Sequence, residues 1–325
     1  MDNFDSPLWF NDALKLINGY KDQDCMPHAL FIYGNQGLGK KVFSNDLAKQ
    51  VVCGSPSQNT DTFNKRSSLF HAGTHPDFKI VKVEDKASQI KIDQIRESIE
   101  WLSLTKHNSE YKVLLITAAE KMNRFAANSM LKILEEPPAG TLIILVSDRP
   151  AGVLSTLKSR CAHIMIKPPN FSDAVAWLST QVDYEHIDEL LHEAGGMPYK
   201  ALFMHNDGVY ERKKEFIGDF KEIFNRSFSV PEFSQKWKDE NITTTLEWLM
   251  SITIQTVKSL NNIDYPQNNI FYSVTKQKLS SINNASHKMM RFYENLLRIK
   301  EQNLRTESST LAIEDACLSF KKFVL

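Results

Sequence analysis

Cysteine is scarce. Cys25, Cys53, Cys161 and Cys317 are the four in 325 residues, and no two of them form a C-x-x-C pair. Such scatter argues against a disulfide framework or a four-thiolate zinc site and leaves reduced, mostly buried thiols as the expectation. Net charge is missing too. The 39 basic and 39 acidic residues cancel, which disfavours a stand-alone nucleic-acid binder held by long-range electrostatics, although a local basic face is compatible with it. No run approaches the roughly 20 apolar residues of a membrane span. The opening MDNFDSPLWFNDALK carries no basic segment ahead of an apolar one, so no membrane association and a cytoplasmic location are expected. Repeats and low-complexity tracts are absent, and spacing assembles no Ser/His/Asp or Cys/His constellation, so no nucleophilic chemistry is assigned.

What is present is a 42% hydrophobic chain, long enough for two or three domains. Five short apolar, β-branched runs lie in its first half: HALFIY (28–33), DFKIVKV (77–83), KVLLITA (112–118), TLIILVS (141–147) and HIMIKP (163–168). The stretches between them repeat every 3.6 residues, as in Ile92, Ile95, Ile99 and Leu102, or Ala127, Met130, Leu131 and Leu134. Strand–helix alternation predicts an α/β domain with a parallel sheet over 1–167. Loops are expected at GSPSQNTDTFNKRSS (54–68) and at EEPPAG (135–140), where Pro137 and Pro138 end a helix. THPD (74–77) reads as an extended entry to a strand rather than a metal or acid/base pair. A small helical unit follows over 168–207. From 208 to 325 the pattern is all helical, with stripes such as Leu246, Leu249, Met250, Val257 and Leu260; Met289, Phe292, Tyr293, Leu296 and Leu297; and Ile313, Cys317, Phe320 and Val324. NNIDYPQNN (261–269) is expected to join two of those helices.

The stretch GNQGLGKK (34–41) follows the first strand and precedes a helix. In the phosphate loop G-x-x-x-x-G-K-[ST], glycines turn backbone N–H groups toward phosphates, the lysine adds charge and the hydroxyl holds Mg²⁺. Gly34, Gly39 and Lys40 keep that frame, but Lys41 stands where the hydroxyl belongs. The pattern fits either a nucleotide loop or a glycine turn entering a helix. A metal-dependent ATPase also needs a carboxylate at the end of a second buried strand. Here KVLLITAAEKMN offers Thr117, Ala118 and Ala119 before Glu120, which reads as a solvated residue opening the next helix. Two metal ligands are lost, which points away from hydrolysis in cis. Ser159, Arg160 and Cys161 form a third feature, SRC, ahead of the last strand. Its arginine could stabilise charge on a phosphoryl group, including one held by a neighbouring subunit, or sit in an ordinary turn or salt bridge.

Taken together, HALFIYGNQGLGKK, AGTHPDF, IKIDQIRESIEWLSLTKHNSEYKVLLI, AAEKMNRFAANSMLKILEEPP and SRC closely resemble the bacterial DNA polymerase III clamp loader subunits, an AAA+ family. The resemblance is strong over about 8–167, weaker through the small helical unit and only architectural after 208. With its ATPase positions damaged, the chain looks more like the delta-prime branch than the gamma/tau motor. That resemblance implies an AAA+ sheet domain, a helical lid and a helical collar domain within a heteropentamer. It implies gamma/tau and delta subunits as partners, with the sliding clamp and primed DNA reached through the complex. It also implies that Arg160 acts as an arginine finger in trans, with Ser159 and Cys161 shaping its turn, while the chain has no active site of its own in the polymerase holoenzyme. No cofactor is required on this reading. Gly34, Gly39 and Lys40 leave room for weak ATP binding. Zinc is not expected, because only Cys53 stands where many members carry a four-cysteine module. The lid's sensor arginine is replaced by Tyr199, beside Lys200. The rival readings are an ATP-hydrolysing, gamma/tau-like subunit and a DNA-binding module using Lys121, Arg124 and Lys132.

Overall fold

The computed structural model describes residues 7–54, 60–84, 87–107, 109–224, 229–261, 279, 282–303 and 309–324. The chain folds into two compact units, Met1–Phe203 and Met204–Leu325.

The first unit is built on five parallel strands: β1 (Ala29–Tyr33), β2 (Phe78–Val81), β3 (Lys112–Ile116), β4 (Thr141–Ser147) and β5 (Ala162–Met165), in the order β2-β3-β4-β1-β5. Every residue of β3 and β4 is buried. Covered on both faces, these strands are continuous apolar runs rather than alternating ones. Their side chains still alternate between two cores. Leu30, Ile32, Val113, Leu115, Leu142, Ile144 and Val146 face one side, with Ile17 of α1 (Asn11–Asp22), Phe43 and Leu47 of α2 (Lys40–Cys53) and Phe70 of α3 (Thr60–His71). Phe31, Leu114, Ile116, Ile143 and Leu145 face the other, with Ile95 and Leu102 of α4 (Ile92–Ser103) and Met130 and Leu134 of α5 (Arg124–Glu135).

Helix α3 corrects the expectation of a loop over 54–68. The turn-forming run stops short of Thr60; Phe63 and Phe70, seven residues apart, then share one helical face and pack on the sheet core. Residues 55–59 of that expected loop lie outside the described residues, as does 262–269 of the expected connection.

THPD has a structural task. Asp77 is fully buried, and its carboxylate accepts hydrogen bonds from the backbone N–H groups of His107 (2.9 Å) and Ser109 (3.0 Å). The Asp77 N–H donates to His75 Nδ1 at 3.2 Å, and burial holds this imidazole's pKa below its ordinary value. The loop before β3 is thereby pinned to the start of β2.

A short helix, α6 (Ser155–Lys158), precedes β5, and α7 (Phe171–Gln181), α8 (Ile187–Glu193) and α9 (Pro198–Asn206) follow it. The second unit holds α10 (Val209–Phe224), α11 (Val230–Lys236), α12 (Ile242–Leu260), α13 (Ala285–Asn303) and α14 (Ser309–Phe323). Phe216, Phe220, Phe233, Phe292 and Phe320 fill its core. Leu297, grouped by periodicity with the core stripe, is instead 39% exposed. Among the described residues no helix is long and apolar enough to cross a membrane.

Candidate functional site

The loop after β1 lies at the C-terminal edge of the sheet, where open α/β sheets bind ligands. Its glycines are required by conformation: Gly37 (φ +86°) and Gly39 (φ +83°) adopt left-handed backbone, and Gly34 (φ +155°) presses against the Ile166 carbonyl. Its lysine and three of its carbonyls are already engaged. Lys40 is 2% exposed; its ammonium contacts Asp148, just past β4, at 2.6 Å and donates to the Asn35 carbonyl at 2.5 Å. The Leu38 carbonyl accepts from Trp9 Nε1 at 3.0 Å. The Gly37 carbonyl accepts from the N–H groups of Tyr199 (3.0 Å) and Lys200 (3.3 Å), at the start of α9.

Tyr199 therefore sits over the loop. A Cβ on Gly39 would lie 2.2 Å from its ring, which also packs against Trp177 and Phe10. Burial, and secondarily Asp46, pushes its hydroxyl pKa up to about 12. Because Lys40 and Asp148 neutralise each other inside the fold, Lys40→Met should destabilise the chain by about 2 kcal/mol. That lies below the range for a broken, fully buried pair because Asp148 is 30% exposed; urea unfolding measures it.

The metal positions do not fit magnesium. Lys41 and Thr117 line one cleft of about 550 Å³ with Val42, Asn45, Ile80 and Lys82. The Lys41 and Lys82 cations oppose a divalent ion, and the Thr117 hydroxyl lies 3.4 Å from the Val81 carbonyl. Glu120, read as a solvated residue opening a helix, is instead part of the short turn Ala119–Lys121, ahead of the true N-cap Asn123. Its Oε2 is buried and has no hydrogen-bond partner among the described residues. The would-be Cβ of Gly152 lies 3.2 Å from its Cβ, and this close packing leaves the residue only partly exposed.

At the other feature, Arg160 lies in the turn between α6 and β5. Its Nε donates to Glu135 Oε1 at 2.9 Å, and Nη2 donates to the same oxygen. Nη1 donates to the Thr156 carbonyl at 2.8 Å, with Ser159 Oγ 3.5 Å away. The side chain remains 34% exposed. Cys161 anchors the turn from below, donating to the Leu157 carbonyl at 3.3 Å, and burial lifts its thiol pKa to about 12. Of the basic residues proposed for DNA, Arg124 and Lys132 are exposed on α5 and Lys121 is partly so.

Sequence reasoning missed Glu135 and Asp148. A usable signal existed for each: Glu135 belongs to the LEEPP stretch, and Asp148 follows the strand that pairs with β1.

A family model described as "DNA polymerase III, delta subunit" matches residues 10–170. The DNA polymerase III subunit delta' of Pseudomonas aeruginosa is 30% identical over 70% of this chain and 70% of its own length. That of Escherichia coli is 29% identical over 74% of each. Among solved structures, a DNA polymerase III gamma subunit-related protein from Thermotoga maritima aligns over 95% of this chain and 99% of its own, with 16% identity and a TM-score of 0.46. By its identity and coverage against the Pseudomonas relative, this chain belongs to the DNA polymerase III subunit delta' family.

Proposed function

We propose that the chain is a non-hydrolysing subunit of a clamp loader, which helps ATP-driven loading of a sliding clamp onto primed DNA by presenting Arg160 to the nucleotide of an adjacent motor subunit. One contrast carries this reading: the Arg160 side chain is a third exposed on a braced turn, whereas Lys40, the cation of the chain's own loop, is buried against Asp148. The pairing of Lys40 with Asp148 and the ill-fitting metal positions support it against a gamma/tau-like ATPase. No cofactor is needed for this role, and any ATP held by the loop would bind weakly and without turnover. The protein would work in the cytoplasm.

The test is reconstitution with gamma/tau-type and delta-type subunits, a clamp and primed DNA. The chain alone turns over no ATP above background, the assembly requires it, and Lys40→Met in this chain leaves the assembly's rate unchanged. A rate that collapses with Lys40→Met, in a pentamer of normal yield, would overturn the proposal.

The helical second unit supports association with neighbouring subunits. Leu311 and Leu318, seven residues apart on α14, are 66% and 57% exposed, and Met290 and Leu297 repeat that spacing on α13. Leu311→Asp with Leu318→Asp should lower pentamer yield at least tenfold on size exclusion, while the isolated chain keeps its thermal midpoint.

A further inference from the structure

Glu135 and Glu136 close α5, where the negative end of the helix dipole disfavours carboxylates. Stability alone gives no reason for Glu135 there. The ion pair with Arg160 is partly solvent-exposed, the carboxylate side chain being 52% accessible, so screening keeps its contribution to folding small.

Its geometric effect is larger. A guanidinium carries five N–H donors in a flat fork. Glu135 Oε1 takes the Nε–H and one Nη2–H, which together form the side edge of the fork. The Thr156 carbonyl takes one Nη1–H. What remains among the described residues is one Nη2–H on the far edge, beside an Nη1 whose contact to Ser159 Oγ, at 3.5 Å, is its longest; with that contact released the two nitrogens present a parallel pair suited to two oxygens of a phosphate. Glu135 reaches Arg160 across 25 residues of sequence, which joins the LEEPP block to SRC in space.

We infer that Glu135 is a positioning residue for Arg160: it occupies the side edge of the guanidinium and aims the far edge at a neighbouring subunit's nucleotide phosphate. This rests on the reading of Arg160 given above. A preset fork loses less rotamer freedom when it meets its target, and correct aim is what a transition-state contact requires.

The experiment compares Glu135→Ala, Glu135→Gln, Arg160→Ala and the Glu135→Ala/Arg160→Ala double variant in the reconstituted assembly, reading kcat and KM for ATP. Glu135→Ala should lower kcat roughly 10²-fold, the scale of a small misplacement of a reacting group, with KM unchanged. Glu135→Gln, which keeps an acceptor oxygen, should recover most of that loss. In the Arg160→Ala background, Glu135→Ala should do nothing more. If Arg160→Ala is itself silent, the arginine-finger reading fails. If Arg160→Ala is damaging while Glu135→Ala leaves kcat intact or raises it, only the positioning role is overturned. A further loss in the double variant, or a Glu135→Ala chain that is largely unfolded under the assay conditions, would likewise overturn it by placing the effect elsewhere.

Discussion

Replacing Arg160 by alanine should lower kcat about 10³-fold at the neighbouring nucleotide site proposed for it, the lower end of what such an arginine supplies to phosphoryl transfer. In a loose transition state, charge spreads over the transferring phosphoryl oxygens, and a cation with two parallel donors stabilises it more than it does the bound substrate. The loss should therefore fall on kcat rather than on KM. Arg160→Lys keeps the charge but neither the fork nor the side edge held by Glu135, and should recover little. The chain itself should stay folded: the pair it loses is part-exposed, and its removal changes stability by less than about 1 kcal/mol. Steady-state ATPase of the reconstituted assembly with clamp and primed DNA measures the first effect, and urea unfolding of the isolated chain the second. Normal turnover with Arg160→Ala would remove the basis for a role in trans.

The second large effect concerns folding. Gly34→Ala should destabilise the chain by about 3 kcal/mol, at the top of the usual range for overpacking. The new methyl would lie 2.3 Å from the Ile166 carbonyl oxygen, a backbone atom, at a φ of +155° that side chains rarely adopt. Because Ile166 N–H also donates to the Tyr33 carbonyl at 2.8 Å, relief would require parting the chain after β5 from the end of β1. Gly19→Ala is the control. It lies within α1 with no atom within 4 Å of the added methyl, and should stabilise by about 0.5–1 kcal/mol. A Gly34→Ala protein as stable as the parent would show that the loop can shift freely. The expected result separates two roles that the phosphate-loop pattern combines: its glycine shapes the sheet edge whether or not phosphate binds.

The strands are legible because two-sided burial writes itself as uninterrupted apolar runs, and β3 and β4 are buried at every position. Helix α3 is hidden by the turn formers ahead of it and by having, among the described residues, only Phe63 and Phe70 as sheet anchors. At the site, the residue types of the loop and of SRC can be read directly, but their partners cannot. Lys40 meets Asp148, 108 positions away, and Arg160 meets Glu135 only because α5 ends beside the turn before β5. Such pairings depend on strand order and helix length, and no local window contains them. Glu120 fails for a related reason: Gly152, from a different loop, packs against it.

The two hydrogen bonds from the start of α9 to the Gly37 carbonyl also bear on motion. A ligand shifts a conformational equilibrium only through a difference in its affinity for the two states. In this chain the loop and the helix above it are fastened to each other by main-chain atoms, and Tyr199 fills the gap between them. Swinging the start of α9 away from the loop would have to break those bonds and move the ring. In the role proposed above, this joint would stay closed while neighbouring subunits cycle through ATP, and so give them a fixed frame to push against.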